Sequence, residues 1–411
     1  MPSARPLLRP QIIYRPWYLV FGPPRIVLAI EIAGYYHSCA VCDSIGIFPR
    51  FSNGVSHMAY KMIQVGTGGF GGWWCRHFLP PNVADGHVEV VAAVDKNPDA
   101  FVNAREGLGL REDQCYTDLK KALDENTADF CTVVVPPAFH ETVVDAALDH
   151  GLHILSEKPI ADTMDAAVRI SKKVRNAGRK MGVTMSHRFA HDKDTFRALL
   201  RSGELGRLDY IVCRFTCDCR AFGSWGKFRH EIPDPLMVEG AVHHLDILND
   251  FAGANCDSLY AQTWNAPWGE FAGDSNALVT MHHENGVRTF YEGAKTNAST
   301  MNGWTNEYFR AECELATLEL DTQAIRIKWH PSAKPNPDWQ PVPLRQQPKW
   351  MNAWLIEKFC HWLDGGEPME TNVVDNLQSV ALIFSAIQSA RTGKPVEVQK
   401  FLKKAVRSVK M

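Results

Sequence analysis

Three side chains capable of acid–base chemistry occur at helical spacing in one segment of the sequence. Glu239, His243 and Asp246 are separated by four and three residues, so on an α-helix they share one face. A carboxylate one turn from an imidazole fixes its tautomer and raises its basicity, as a general base for an alcohol proton requires. The preceding Asp234-Pro235 suits the start of such a helix. The pattern favours a general base, with a solvated charged face or a metal site as alternatives.

A lysine is expected at the end of a buried strand, in the tripeptide Glu157-Lys158-Pro159. It follows an apolar run that ends at Leu155, and parallel α/β folds place their ligands at the carboxyl edge of such strands. A lysine there can hydrogen-bond a substrate hydroxyl and lower the pKa of a neighbouring base. A solvated strand-end lysine followed by a loop proline fits the spacing equally well.

A glycine-rich turn directly after the first predicted strand has the pattern G-x-G-x-x-G. It reads Gly66-Thr67-Gly68-Gly69-Phe70-Gly71, and a helix is expected to begin there. Such glycines let backbone N–H groups approach a pyrophosphate at the helix N-terminus. Asp95, at the end of the next strand, suits a ribose 2′-hydroxyl and repels a 2′-phosphate, so NAD is favoured. The neighbouring Lys96 can reverse that preference toward NADP, and a surface-turn Asp95 is the alternative.

The elements that must position these residues differ between the two halves of the chain. From residue 61, short runs that are apolar on both faces alternate with helical stretches, which predicts a doubly wound parallel sheet. After Arg188, longer strands of mixed polarity predict an antiparallel sheet, and Asn285-Gly286 predicts a hairpin whose two turn positions tolerate positive φ. The predicted strands are 62–65, 88–94, 130–135, 153–155, 208–219, 259–264, 277–283, 287–292, 307–314, 317–320 and 325–329. The predicted helices are 118–126, 138–150, 162–177, 352–363 and 374–392.

Together these motifs resemble those of the glucose-fructose oxidoreductase, inositol dehydrogenase and MocA-like family of NAD(P)-dependent oxidoreductases. Glu157-Lys158-Pro159 is similar to the family's E-K-P motif, whose Lys is catalytic and whose Lys-Pro peptide is usually cis. The residues from Glu239 to Asp246 are similar to its D-x-G-x-H-x-x-D, with Glu in place of the first Asp. The segment from Pro136 to His140 is similar to its T-P-N-x-x-H loop near the nicotinamide ribose.

The resemblance, which spans about residues 61–400, implies an α/β fold with two domains. We expect an N-terminal doubly wound Rossmann domain over residues 61–186 that binds NAD(P). A C-terminal α+β domain on a large, mostly antiparallel sheet is expected over residues 187–411, for substrate binding and oligomerisation. Residues 1–60, with five Arg and no Lys, are expected to be a poorly ordered extension, a transit peptide or the product of an upstream start.

The activity implied by the resemblance is hydride transfer between nicotinamide and a carbinol carbon of a sugar, cyclitol or related polyol. His243 is then the general acid/base, Lys158 binds the reacting oxygen, and Glu239 orients that pair. The expected cofactor contacts are Gly66, Gly68, Gly69, Phe70, Gly71, Asp95, Lys96, Pro136, His140, Glu157 and Lys158. The expected substrate contacts are Arg188, Trp225 and Asp246.

Two other functions stay open at this point. An NAD-dependent glycosidase would oxidise its sugar transiently and reduce it again after the aglycone has left. A regulator that senses sugar or NAD(P) would not turn over at all. Such a sensor can lose either Lys158 or His243, so the presence of both argues against it.

The charge and composition of the chain argue against nucleic acid and membranes as partners. The chain carries 44 Lys+Arg against 46 Asp+Glu, a net charge of -2, which gives no general attraction to nucleic acid or to acidic membranes. The sequence contains no run of 18 uncharged apolar residues, so no membrane span is predicted.

The eleven cysteines indicate reduced thiols in a cytoplasmic protein. A zinc site needs a second pair of cysteines, and none accompanies the pair Cys39 and Cys42 or the group Cys213, Cys217 and Cys219. No metal is therefore predicted. One face of the antiparallel sheet needs cover, and the resemblance implies association through this sheet, so a homodimer or homotetramer is expected.

Overall fold

The computed structural model describes residues 58–335 and 338–410. Nearly all of the predicted N-terminal extension, with Cys39 and Cys42, therefore lies outside the described residues. None of the helices within the described ranges is long and apolar enough to cross a membrane.

A six-stranded parallel sheet forms the first half of the described chain, as predicted. Its strands are β1 (Tyr60–Val65), β2 (Val88–Val94), β3 (Cys115–Tyr116), β4 (Phe130–Val133), β5 (His153–Ser156) and β6 (Met181–Val183). The order β3-β2-β1-β4-β5-β6 reverses direction between β1 and β4. Open α/β sheets bind their ligands beyond the carboxyl ends of the strands at such a reversal.

Helices cover both faces of this sheet, as the alternation of runs requires. They span Gly69–Trp73, Leu79–Ala84, Phe101–Leu108, Leu119–Glu125, His140–Asp149 and Met164–Asn176, with a π-turn at Trp74–Phe78. Local capping fixes two of the starts, because the side chains of Asp118 and Thr163 accept hydrogen bonds from the backbone N–H of Lys121 and Ala166. The three helices predicted here are confirmed to within two residues at each end.

The second half of the chain builds a nine-stranded sheet, and the prediction of a mostly antiparallel sheet is confirmed. Its strands are β7 (Leu208–Thr216), β8 (Cys256–Trp264), β9 (Asn276–His283), β10 (Arg288–Ala294), β11 (Tyr308–Cys313), β12 (Ala316–Asp321), β13 (Ala324–Trp329), β14 (Gln340–Val342) and β15 (Val396–Glu397). Only the pair of β7 with β10 is parallel among the described strands of this sheet. The order is β14-β13-β12-β11-β7-β10-β9-β8-β15.

Two details of this sheet differ from the sequence prediction. β7 ends at Thr216, three residues earlier than predicted, and the chain continues through single bridges such as the one between Asp218 and Thr296. The hairpin between β9 and β10 forms, but of its two turn residues only Gly286 has a positive φ (86°). Asn285 contributes through its side chain, whose oxygen accepts a hydrogen bond from the backbone N–H of Val287 (3.2 Å).

One face of the large sheet is covered by helices. The helices of this half are His191–Arg201, Lys227–Glu231, Val242–Ala252, Met351–Leu363, Leu377–Thr392 and Val398–Ser408. The opposite face exposes the apolar side chains of Leu278 and Phe290. The homodimer or homotetramer expected to cover this face stays a prediction. The predicted domain boundary at residue 186 falls at the one-turn helix Ser186–Phe189 and also stays a prediction.

Candidate active site

The glycine-rich loop leaves β1 at Gly66 and enters the helix Gly69–Trp73. Gly66 has φ = +92°, and a Cβ there would lie 2.0 Å from the carbonyl oxygen of Val134, just after β4. A Cβ on Gly71 would lie 2.3 Å from the carbonyl oxygen of Gly66, so only glycine fits at these two positions. Gly69 has φ = +49°, and a Cβ there would meet no atom within 4 Å, so the outer side of the turn is open.

Asp95 lies at the carboxyl end of β2 and holds this loop. Its Oδ2 accepts hydrogen bonds from the backbone N–H groups of Thr67 (2.8 Å) and Gly68 (3.0 Å). Lys96 is exposed beside it, with Nζ 5.6 Å from the centre of the Phe139 ring. Asp95 and Lys96 therefore lie next to the glycine-rich loop, and their contact with a ribose or a phosphate stays a prediction.

His140 is fully buried and binds backbone carbonyls. Its Nε2 lies 2.9 Å from the oxygen of Val135, and its Nδ1 lies 3.2 Å from the oxygen of Ile160. Burial lowers the pKa of this imidazole, so the neutral ring donates to one of the two carbonyls. Both nitrogens thereby join the segments after β4 and β5, and the predicted cofactor contact of His140 stays a prediction. Pro136 is exposed beside it, and its cofactor contact stays a prediction.

Glu157 is held by contacts within the protein, and its predicted cofactor contact stays a prediction. Its Oε1 accepts hydrogen bonds from the indole Nε1 of Trp74 and from Nδ2 of Asn352, both at 3.0 Å. Burial raises the pKa of this carboxyl above its usual value. The side chain thereby anchors the segment that carries Lys158 to two helical segments that are distant in sequence.

Lys158 points from this segment toward the residues that precede the helix Val242–Ala252. Its Nζ donates a hydrogen bond to the backbone oxygen of Glu239 (3.2 Å) and lies 3.8 Å from Oε2 of the same residue. The side chain is 12% exposed, so its charge is mostly shielded from water. The Lys158-Pro159 peptide is cis, as the resemblance implies.

The segment around Glu239 is not the regular α-helix that the spacing predicts. A π-turn spans Leu236–Ala241, and the α-helix begins only at Val242. A π-turn closes its hydrogen bonds from i to i+5, so the spacing of an ordinary α-helix does not describe the backbone at Glu239. Oε2 of Glu239 instead accepts a hydrogen bond from Nε of Arg229 (2.9 Å). Among the described residues, no hydrogen bond joins Glu239 to His243, and within the predicted group Glu239 contacts Lys158; its role in orienting that group stays a prediction.

His243 packs face to face on a second imidazole. The rings of His243 and His187 have centroids 4.1 Å apart and planes inclined by 16°, and the Trp304 indole meets His243 edge-on at 5.9 Å. Burial lowers the pKa of His243 well below its usual value, and the nearby His187 and Lys158 lower it further. His243 is therefore neutral near pH 7, which is the state that can accept a proton.

The buried carboxylate of Glu307 contacts three basic side chains, one of which is His187. Its Oε1 lies 3.1 Å from Nδ1 of His187 and 3.5 Å from Nε2 of His244, while its Oε2 lies 2.6 Å from Nζ of Lys193. Burial opposes ionisation of Glu307, but Lys193 and His187 hold its pKa well below the usual value. His187, His244 and Glu307 are residue types that can bind a metal ion. The ammonium of Lys193 already balances the charge of the Glu307 carboxylate, which disfavours a cation there.

Arg188 and Asp246 pair with each other. Arg188 Nε lies 2.5 Å from Asp246 Oδ2, and Arg188 Nη2 lies 2.6 Å from Asp246 Oδ1, which also accepts a short hydrogen bond from Ser379. Asp246 is buried, and Arg188 also reaches Asp250 (3.4 Å). Both groups thereby join the segment before His191–Arg201 to the helix Val242–Ala252, and their predicted substrate contacts stay predictions.

Trp225 lies at the rim of the same site. The Arg229 guanidinium, which pairs with Glu239, lies 5.4 Å from the centre of the Trp225 ring, and Trp225 lies 6.1 Å from Trp304. The structure thus brings the predicted Lys158, Glu239 and Trp225 together through Arg229. Sequence reasoning missed His187, Glu307 and Trp304 because nothing in their local sequence shows that they contact one another.

Two family models match the chain. The model described as the NAD-binding Rossmann fold of an oxidoreductase family matches residues 61–185, and that family's C-terminal α/β domain matches residues 197–398. An uncharacterised protein of Sinorhizobium fredii, y4oX, is 52% identical over 350 residues, which cover 84% of this chain and 97% of that protein. The D-apiose dehydrogenase of Paraburkholderia graminis is 24% identical over 324 residues, which cover 76% of this chain and 83% of that enzyme.

Among solved structures, an inositol dehydrogenase homologue from Azotobacter vinelandii, complexed with NADH and myo-inositol, has the same fold. The TM-score is 0.70 at 19% sequence identity, and the superposition covers 83% of this chain and 98% of that one.

Proposed function

Because this chain belongs to the oxidoreductase family whose NAD-binding and C-terminal domains it matches, we propose that it oxidises one CH–OH group of a sugar, cyclitol or related polyol to a carbonyl with NAD. One observation carries the proposal. Lys158, the carboxylate of Glu239 and the neutral imidazole of His243 converge next to the end of β5. Among the described residues, Oε1 of Glu239 and Nδ1 of His243 are buried without a hydrogen-bond partner, which leaves two polar atoms for substrate hydroxyls.

The residues at the reversal of the strand order fit a dinucleotide. Close backbone approach at Gly66 and Gly71 makes the turn tight, and the open side at Gly69 leaves room for a pyrophosphate. We assign the pyrophosphate to Gly66, Gly68, Gly69, Phe70 and Gly71. The adenosine ribose is assigned to Asp95, with Lys96 beside it, and the nicotinamide side to Pro136. Bound NAD supplies the hydride acceptor for the carbinol carbon.

His243 and Lys158 have different roles at the reacting oxygen. His243 takes the hydroxyl proton, because burial and the neighbouring Lys158 keep its imidazole neutral. Lys158 donates a hydrogen bond to the same oxygen and stabilises the negative charge that develops there as the C–H bond breaks. Glu239 holds Nζ of Lys158 from two sides, with its backbone oxygen and with its carboxylate.

The residues that line the site support this substrate class. Trp225 and Trp304 offer indole faces that can pack on the C–H surface of a ring, and the Arg229–Glu239 pair offers charged hydrogen-bonding groups. These groups suit a neutral polyhydroxylated ring or chain. The D-apiose dehydrogenase and the inositol dehydrogenase homologue complexed with myo-inositol, both described above, support the same class.

The test is a substrate panel. Purified protein is mixed with NAD or NADP and with aldoses, cyclitols, sugar acids and glycosides, and nicotinamide absorbance is followed. We expect net NADH formation with at least one polyol. Release of an aglycone without net NADH would indicate the glycosidase, and ligand binding without turnover across the panel would indicate a sensor.

A further inference from the structure

Lys295 is a fully buried lysine whose ammonium group lies among aromatic rings. Its Nζ lies 3.7 Å from the ring centre of Phe215, 4.2 Å from that of Trp225 and 4.6 Å from that of Trp304. Distances this short are typical of cation–π contacts, so the three rings form an aromatic wall around one cation. Burial lowers the pKa of Lys295 to about 8, and the ammonium is still the main form at pH 7.

No ion pair neutralises this ammonium within the part of the chain that the structure describes. The buried carboxylate of Glu307 pairs with Lys193, and Nζ of Lys295 donates a hydrogen bond to the sulfur of Cys217 at 3.6 Å. Taking a charge out of water without an opposite charge costs stability. A neutral apolar side chain of similar length would fill the same space at a lower cost, so the stability of the fold does not explain the lysine.

The backbone of Lys295 is held on both sides. The residue directly follows β10, and its N–H donates to the carbonyl oxygen of Ser275 (3.0 Å) and to Oδ1 of Asn276 (3.2 Å). Its own carbonyl oxygen accepts a hydrogen bond from the N–H of Cys219 (2.8 Å). The ammonium therefore projects from a fixed point at the end of a strand.

The two indoles of the aromatic wall lie in turns and border the candidate active site. A turn fixes its side chains less firmly than a strand or a helix does. Trp304 meets the His243 ring edge-on at 5.9 Å. A Cβ on Gly240, in the π-turn before His243, would lie 3.5 Å from Cη2 of Trp225. The contacts of both indoles with Lys295 connect these two turns to the end of β10.

We propose that Lys295 is a positioning residue, whose ammonium fixes the indoles of Trp225 and Trp304 beside His243 and thereby sets the affinity for substrate. The inference rests on the proposed function, in which these two indoles pack on the C–H surface of a polyol. Ordering a mobile ring costs binding free energy, so a ring that is already fixed binds the polyol more tightly. Lys295 is itself fully enclosed and acts only through the two indoles.

The first test replaces Lys295 with Met, an unbranched side chain of nearly the same length without a charge. The wall contacts the substrate before and during the reaction alike, so its loss should act on KM and not on kcat. We expect KM for the polyol that reacts fastest in the panel to rise about tenfold, and kcat to change less than about threefold. The free energy of unfolding in urea should equal or exceed that of the wild type.

A matched control is Lys334→Met. Nζ of Lys334 lies 3.6 Å from the centre of the Trp329 ring, so this variant also removes a close lysine–indole contact, but one outside the candidate active site. It should leave KM and kcat unchanged.

A second measurement needs neither substrate nor NAD. The full chain is made with fluorotryptophan, and the fluorine NMR lines of Trp225 and Trp304 are assigned from Trp225→Phe and Trp304→Phe. Each indole should give one sharp line in the wild type. In Lys295→Met both lines should broaden or split, because each ring then occupies more than one position. The line of Trp329 should stay as it is in the wild type.

Three results would overturn the proposal. One is a Lys295→Met protein in which both indoles keep single sharp lines. Another is a protein whose lines broaden while its KM stays that of the wild type. The third is an unstable protein that loses kcat together with KM, which would show that Lys295 serves the fold as a whole. If no polyol in the panel reacts, the proposed function fails, but the NMR lines still decide whether Lys295 fixes the two indoles.

Discussion

His187 and His243 stack with ring centroids 4.1 Å apart, and a carboxylate oxygen of Glu307 lies 3.1 Å from Nδ1 of His187. This arrangement gives the predicted general base a neighbour that the sequence does not reveal. His187 lies between a buried carboxylate and the His243 ring, so it both fixes the ring plane of His243 and adds to the electrostatic cost of protonating it. We regard His187 as a positioning residue, because it acts through His243.

Replacing His187 with Phe should keep an aromatic ring stacked on His243 and remove the imidazole that lies beside Glu307. Burial of His243 and the effects of Lys158 and His244 remain, but one cause of its lowered pKa is lost, so that pKa rises. The base must be neutral to act, and the acid limb of the kcat/KM profile should therefore move to higher pH. His330→Phe, at an exposed position, is the control. An unmoved acid limb in His187→Phe would show that His187 has no electrostatic effect on the base.

Replacing Glu239 with Gln tests whether the Glu239 carboxylate positions Lys158. Glu239 contacts Lys158 and Arg229 and makes no hydrogen bond to His243, so the variant should misplace Lys158 and lower kcat by about a hundredfold. The acid limb of the pH profile should stay where it is in the wild type. A large shift of that limb would support the direct Glu239–His243 contact that the spacing predicts and the structure lacks.

Replacing Arg188 with Met should lower stability more than catalysis. The change leaves the buried Asp246 without its partner, which costs about 3–5 kcal/mol in comparable buried pairs. Urea unfolding measures the loss, and Arg207→Met, in an exposed pair with Glu314, should change little. If the Arg188→Met protein is as stable as the wild type but has a raised KM, the result would support a direct contact between Arg188 and the substrate.

Replacing Asp95 with Asn separates its two tasks. The amide oxygen can still accept the hydrogen bonds of Thr67 and Gly68, so the loop should keep its shape, but the negative charge that repels a 2′-phosphate is gone. The wild type should prefer NAD, and the variant should use NADP more readily, measured as the ratio of kcat/KM for the two cofactors. A wild-type preference for NADP would show that Lys96 outweighs Asp95.

Local patterns are enough to predict the fold and the glycine-rich loop. The alternation of apolar runs and the glycine spacing act over a few residues, so the main strands and the position of Asp95 beside the loop follow from the sequence. The π-turn at Leu236–Ala241 does not, because the sequence before His243 has the spacing of an ordinary α-helix. Glu239 in that turn contacts Lys158 and Arg229, and among the described residues no hydrogen bond joins it to His243.

Contacts between residues that are distant in sequence are the other feature that local patterns miss. Arg188 and Asp246 are 58 residues apart, and charged residues within family motifs suggest substrate contacts for both. Only the folded chain shows that they satisfy each other. The same holds for Glu307, which approaches His187 and Lys193 across more than a hundred residues.

The most direct test of the account compares turnover with NAD binding in Lys158→Ala and His243→Ala. Using the polyol that reacts fastest in the panel, we expect each variant to lose about a hundredfold to ten-thousandfold in kcat, as the loss of a positioned acid–base group does. NAD affinity, measured by calorimetry, should match that of the wild type, and the exposed controls Lys403→Ala and His330→Ala should keep full activity. Wild-type turnover in both active-site variants would contradict the account.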